Sequence, residues 1–234
     1  MVYITGDIHG NPQRIVDFCG KHALTSDDVI VVLGDVGANY YLNKRDEMMK
    51  SMLSELAPTI FCIHGNHEAR PENIPGYTEK LWNGGCVLYQ EQYPNILFPI
   101  DGECFNLNEL RCLVIGGAYS VDKFYRQARG WAWWEGEQPS AEIKATVEAN
   151  LKGWKGRINV VFSHTCPEKY TPIECFIPGI DQSSVDRSTE EWLDKIEEMA
   201  HYRDWYCGHW HINKRIEKMH FLYDDIEILG EGPL

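Results

Sequence analysis

Eight cysteines stand in the 234-residue chain, yet no two form a Cys-x-x-Cys pair, and Cys62 and Cys112 sit inside apolar runs. That spacing argues against a zinc knuckle or a disulfide framework and for buried, reduced thiols. Basic charge is scarce: 22 Lys and Arg face 35 Asp and Glu, for a formal net charge of −13. A protein that grips duplex phosphates needs a basic stripe, so nucleic acid is not an expected partner. Long apolar runs are missing too, and none approaches a membrane span. No basic leader or cleavage site precedes Met1-Val2-Tyr3-Ile4, which enters a strand at once, so the expected location is cytoplasmic. Repeats, low-complexity tracts and a clear domain break are also lacking. The expectation is one domain over residues 1–234, with the irregular stretch 118–139 as a lid-like insertion. Its composition, 44% hydrophobic and 24% charged, is ordinary for a globular protein.

What the chain does have is an apolar run that ends in a small polar loop, and it has this several times. Val2–Thr5 leads to Gly6-Asp7-Ile8-His9-Gly10. Val29–Leu33 leads to Gly34-Asp35, and Thr59–Ile63 to His64-Gly65-Asn66-His67-Glu68. Ile158–Phe162 leads to Ser163-His164, and Asp204–Cys207 to Gly208-His209-Trp210-His211. Continuous β-branched runs are the mark of strands buried on both faces. Open α/β sheets place their chemistry just past the carboxyl ends of such strands.

Between these runs, Asn11-Pro12 predicts a helix from Gln13 to His22, and Asn43 caps one running to about Leu56. Met48, Met49, Met52, Leu53 and Leu56 fall at helical spacing there and are read as core. Residues 71–85 are rich in Pro, Gly and Asn and are expected as loop. Four short strands follow, 86–90, 96–100, 103–107 and 111–115, with Asp101-Gly102 as a hairpin turn. Ser140 and Ser188 open two further helices, a long loop runs from Thr165 to Asp186, and a hairpin and a last strand close the chain.

The polar residues at strand ends are Asp7, His9, Asp35, Asn66, His67, His164, His209 and His211. Residues two apart on an extended chain share a face, so Asp7 with His9, and His209 with His211, can aim at one point. Two carboxylates, one amide oxygen and four imidazoles exceed what one tetrahedral ion needs. They suit two borderline divalent ions with Asp35 shared, and the lack of a motif cysteine argues against structural zinc. Two such ions can clamp both oxygens of an in-line displacement at phosphorus, with hydroxide on the metals as the nucleophile. His67 is the histidine left over, free to serve the leaving oxygen.

These motifs, Gly6-Asp7-x-His9-Gly10, Gly34-Asp35, Gly65-Asn66-His67-Glu68, His164 at a strand end and Gly208-His209-x-His211, occur in the order seen in the calcineurin-like metallophosphoesterase superfamily. The chain resembles that family over most of its length. The resemblance implies a four-layer αββα sandwich of two mixed β-sheets and a phosphoric-ester hydrolase with a dinuclear centre. One ion would be held by Asp7, His9, Asp35 and His211, the other by Asp35, Asn66, His164 and His209. His67 and Asp35 are then the expected catalytic residues, with Asn66 and His67 contacting substrate. Manganese is favoured among the metals, over iron, zinc and nickel.

The first and third motifs look like those of the serine/threonine protein phosphatases and diadenosine-tetraphosphate hydrolases. That branch carries two phosphate-clamping arginines, where this chain has Ala38-Asn39-Tyr40 and His64. Protein-phosphatase activity is therefore not expected. Arg126 is the candidate replacement clamp, with Lys123, Arg129 and Arg70 as rivals. Trp131, Trp133 and Trp134 are read as packing of the insertion, and Cys166 as structural. The expected substrate is a small phosphorylated molecule. A nuclease of the same fold and a non-catalytic metal-binding module are the competing readings.

Overall fold

The structure, a computed structural model, describes residues 1–176 and 182–233. Residues 177–181 of the loop expected between Thr165 and Asp186 lie outside the described residues. The β-branched runs become buried strands. β1 (Val2–Thr5), β2 (Val29–Val32) and β3 (Thr59–Cys62) lie parallel, with Thr5 level with Val32 and Val32 level with Cys62. Helix α1 (Gln13–His22) links the first two and α2 (Lys44–Ser54) the next. The Asn43 side chain accepts from the Arg45 N–H and caps α2.

Only part of the methionine stripe on α2 is core. Met49 and Leu53 are buried, but Met48 is 67% and Met52 45% exposed. Positions 49 and 53 are four apart and share a face; 48 and 52 lie about 100° round the helix from them.

β4 (Thr78–Trp82), β5 (Gly85–Gln90) and β6 (Tyr93–Pro99) complete the first sheet, in the order β14-β13-β1-β2-β3-β6-β5-β4. β4 occupies a stretch expected as loop. It is a polar edge strand, paired on one side only, so it lacks the apolar run of a central strand. Asp101-Gly102 is not a hairpin turn. β6 pairs with β3 and β5, whereas β7 (Cys104–Leu107) pairs with β8 (Leu110–Ile115), so this dipeptide carries the chain from one sheet to the other. The Asp101 carboxylate anchors the crossing: it accepts from Arg70 at 2.7 Å and from the Gly116 N–H at 2.5 Å.

The second half brings α3 (Lys123–Ala128), α4 (Ala141–Gly153), β9 (Val160–Ser163), α5 (Ser188–Met199) and β10 (Asp204–Cys207). β11 (Lys214–Ile216), β12 (Met219–Phe221), β13 (Ile226–Ile228) and β14 (Gly232–Pro233) follow. The second sheet runs β11-β12-β10-β9-β8-β7, and β8, β9, β10 and β12 are parallel. Phe61 and Val31 of one sheet and Phe105, Val114 and Phe162 of the other form the inner core. Ile15, Met49 and Leu53 cover the outside of the first sheet; Val147, Leu151, Trp192 and Leu193 cover the second. The layers are thus helix, sheet, sheet, helix, as expected.

All eight cysteines are free, and Cys19, Cys62, Cys112, Cys166 and Cys207 are buried. Among the described residues, no helix is long and apolar enough to cross a membrane. The level parallel strands matter most for function. β1, β2 and β3 in one sheet, and β9 and β10 in the other, deliver their following loops to one edge of the sandwich.

Candidate metal centre

The structure brings together all the strand-end residues named from the sequence. Asp7, His9 and His211 form one cluster, His9, Asp35 and His67 a second, and Asp7, Asp35 and His164 a third, each with donor atoms within 4.8 Å of one another. Asn66 joins them: its Oδ1 lies 2.7 Å from His164 Nε2 and 3.0 Å from His209 Nδ1.

Local backbone explains the convergence. His9, Asp35, His209 and His211 all have positive φ, between 44° and 65°. Non-glycine residues seldom adopt that region, and such outliers concentrate at functional sites. Each of these residues lies in the loop that follows its strand. Two glycines make room. A Cβ on Gly34, itself at φ 107°, would run into the His164 ring, and one on Gly208 would run into the Asp7 carboxylate.

Backbone donors then fix one oxygen of each carboxylate and leave the other facing inward. Asp7 Oδ1 accepts from the His209 N–H at 3.0 Å, and Asp35 Oδ1 from the His67 N–H at 2.7 Å. Asp7 Oδ2 is buried and makes no hydrogen bond; its neighbours are His211 Nε2 at 3.2 Å and His9 Nε2 at 3.7 Å. Asp35 Oδ2 faces His164 Nε2 at 3.7 Å and His9 Nδ1 at 3.9 Å.

His164 gives the clearest test of what belongs there. Its Nδ1–H donates to the Leu33 carbonyl at 2.7 Å, so in the neutral ring Nε2 carries only a lone pair. The Asn66 amide nitrogen donates to Ser120 Oγ at 2.9 Å, which turns the amide oxygen toward that same Nε2. With that ring neutral, the form a metal ligand must take, lone pairs of an imidazole, an amide and a carboxylate meet at one point. That arrangement is repulsive until a cation sits in it, and nitrogen with oxygen donors suits a borderline divalent ion. The residues fit a metal.

The electrostatics favour metal-binding forms except at His211, which its contact with Asp7 raises. Burial pushes the His209 imidazole well below its ordinary pKa, with His164, His211 and His67 adding to the effect. Burial likewise lowers His67, helped by Arg126 and opposed by Asp35 and Asp122. Burial alone would raise the Asp7 carboxyl, but His211, His164, His9 and the His209 N–H outweigh it and hold the group at about 2. Neutral imidazoles beside ionised carboxylates are the forms that bind metal. Glu68, beneath the loop with its Oε1 accepting from the Gly65 N–H, is pushed up to about 8 by burial.

The expected arginine clamp is placed differently. Arg126 is 1% exposed; it donates to the Ala132 carbonyl and, at 3.2 Å, to Ser120 Oγ. It sits behind Asn66, on the Ser120 hydroxyl that orients that amide, and lines neither cavity at the site. Arg70 is tied to Asp101, and Lys123 lies over the Trp133 ring. Trp133 gives its N–H to Glu137 inside the insertion, and Trp134 gives its N–H to the Tyr40 carbonyl outside it. Cys166 is fully buried.

Tyr40, Tyr41 and Trp210 line the cavities but were not singled out from the sequence. Trp210 was the legible one, since it is the residue between two paired histidines. Tyr40 belongs to the Ala38-Asn39-Tyr40 stretch that stands in place of a clamping arginine, and only the fold shows that it faces the site.

Comparison with known proteins accords with this geometry. The calcineurin-like phosphoesterase model matches residues 1–217. No curated protein matches the chain in sequence. Among solved structures, the chain is similar to TT1561 of Thermus thermophilus, at 13% identity and TM-score 0.49, over 89% of this chain and 80% of that one. It is similar to the phosphopantetheinyl hydrolase of Mycobacterium tuberculosis at 15% identity and TM-score 0.46, over 95% and 87%. A third crystal structure, at 13% identity and TM-score 0.52 over 99% and 95%, shares the fold. With strand-end ligands of the right chemistry gathered at one edge of the sandwich and the family match spanning both sheets, the chain belongs to the calcineurin-like phosphoesterases, metal-dependent hydrolases of phosphoester bonds.

Proposed function

We propose that the chain hydrolyses a small phosphorylated molecule at a centre built for two divalent ions. Asp7, His9, Asp35 and His211 would hold one, and Asp35, Asn66, His164 and His209 the other, with manganese the favoured metal. The single observation that carries this reading is the His164 arrangement, three kinds of lone pair facing one another around a buried point. When bound, such ions supply positive charge to phosphoryl oxygens and make water acidic enough to attack near neutral pH.

The chain's own groups do the rest. Asp7 and Asp35 keep their inward oxygens in place through the backbone hydrogen bonds to their outer ones. Ser120 sets the Asn66 amide, and Arg126 steadies Ser120. His67 lines both cavities at the site and lies 4.0 Å from Asp122, a carboxylate able to orient the ring. Its task is to give a hydrogen bond or proton to the departing oxygen. The insertion supplies Asp122 and Ser120 to the site, which makes residues 118–139 a wall of the cleft.

His67→Ala tests the assignment. Turnover of an aryl phosphoester should fall by roughly 100-fold or more while metal content is unchanged. If protein with two ions bound per chain cleaves neither an aryl phosphate nor a bis-aryl phosphate, the catalytic reading fails and the metal-binding module is left. If His67→Ala sheds its metal, His67 is a ligand instead.

A further inference from the structure

Two cavities open from the candidate centre, and they share His9, Asp35 and His67. The smaller, ≈ 180 Å³, is walled by Tyr40 and Tyr41 with Gly10 and Gly37 at its floor. The larger, ≈ 710 Å³, extends past His209 and His211, which do not line the smaller. It is flanked by Trp210 and Phe176, whose rings stack at 5.8 Å, and by Tyr119 and Val185.

Charge is as telling as shape. No Lys or Arg lines the small cavity among the described residues. In the large one the described residues include one, Arg187, and it is already bonded to Glu168 at 2.7 Å. Asp122, Asp186 and Glu190 also face that cavity. Arg45 rests over the Tyr41 ring and does not line the small cavity, and Arg126 is buried behind Asn66.

A phosphomonoester carries close to two negative charges at neutral pH, since its second pKa is about 6. A diester carries one, and it has two organic arms. The geometry points to a monoanionic phosphodiester as the substrate class: phosphorus at the centre, a small flat or apolar arm against Tyr40 and Tyr41, and a larger arm, uncharged or cationic, along Trp210 and Phe176. The inference rests on the hydrolase reading above and deepens it. Beyond the ions at phosphorus, no side-chain cation is free among the described lining residues to take a further anionic group, and Asp122 and Asp186 disfavour one on the large arm. A polynucleotide, with a charge at every link, fits neither condition. In the reaction water adds to phosphorus and the bond from phosphorus to one ester oxygen breaks. One proton of the water ends on the released alcohol, and the other arm leaves as a monoester.

The test uses the full chain loaded with manganese, and compares bis(4-nitrophenyl) phosphate with 4-nitrophenyl phosphate. The diester should be preferred in kcat/KM by at least about tenfold, releasing one nitrophenolate per molecule. A monoester cleaved equally well or better, or two nitrophenolates released per diester, overturns the inference while leaving the hydrolase reading intact. No turnover of either sinks the hydrolase reading itself. A second arm adds a cation to the small cavity. Tyr41 is 46% exposed, so Tyr41→Arg leaves the core untouched, and the diester-to-monoester ratio should fall by at least about fivefold. An unchanged ratio in that variant refutes the charge argument.

Discussion

Strand β10 has a histidine–carboxylate cluster at each end, and the two clusters are built on different principles. Asp204 opens the strand. Its carboxylate lies 3.5 Å from His220 Nε2, and His220 Nδ1 meets Glu227 at 2.8 Å. All three are buried, and Arg203 donates to Asp204 at 2.7 Å. Beyond the other end stand His209 and His211 with Asp7. Among the described residues, Asp7 and Asp35 make no ion pair with Lys or Arg; the nearby Arg14 donates instead to the Gly6 and Asp7 carbonyls. One cluster closes its charge with protein groups, on ordinary β backbone. The other leaves lone pairs facing one another on left-handed turns, beside a cleft. Imidazoles near carboxylates are therefore not the signature of a metal site. The signature is inward-facing donors without an internal cation, held by costly backbone.

The sharpest way to break this contrast is to change one carboxylate at each end. Asp35→Asn should lose metal at both positions and drop turnover below that of His67→Ala. Glu227→Gln should keep both metal and turnover, and metal content with initial rates reads the pair. Equal losses would mean that the two clusters act as one.

A second test reverses the emphasis. His220→Ala leaves Glu227 buried without its partner, while Asp204 keeps Arg203, and should cost about 3–5 kcal/mol of stability, measured by denaturant unfolding of metal-stripped protein. The same measurement on His211→Ala should show a much smaller loss, because His211 is exposed and Asp7 keeps its hydrogen bond from the His209 N–H. A negligible cost for His220→Ala would remove the claim that its cluster is a structural closure.

The smallest effect concerns Glu190, which belongs to neither cluster. Burial pushes its carboxyl up to about 7, against an ordinary 4.5. The folded protein thus holds that proton more tightly than the unfolded chain does. The contribution is fully present below about pH 4.5 and is lost as pH rises through about 7, on the order of 3 kcal/mol at most. Glu190→Gln should flatten that part of the stability–pH curve. If the curves of the two proteins stay parallel between about pH 5 and 8, the carboxyl is not perturbed by its surroundings.

Much of the site was legible because it is written in local chain: a β-branched run, a glycine, then Asp or His. Buried parallel strands force that pattern, and their level ends make residues far apart in sequence meet. What was not legible depends on tertiary choices. Asp101-Gly102 has hairpin chemistry, but the pull of Arg70 and Gly116 on the Asp101 carboxylate, which lies in no local motif, turns it into a crossing between sheets. β4 was hidden because an edge strand need not be apolar. Arg126 was read as the phosphate clamp, yet whether a guanidinium faces a cleft or backs onto Ser120 turns on the path of the whole insertion.

β12 lies in one sheet and β13 in the other, which gives the His220–Glu227 contact a mechanical meaning. It rivets the two halves of the sandwich together at one rim. At the opposite rim, Asp7, Asp35 and Asn66 belong to one half and His164, His209 and His211 to the other; the His209–Asp7 and His164–Leu33 hydrogen bonds already cross there, and an ion held as proposed would add a further tie. Under that proposal the ion's share of the cohesion at this seam would scale with the free metal concentration around it, by mass action, while the far seam would not change.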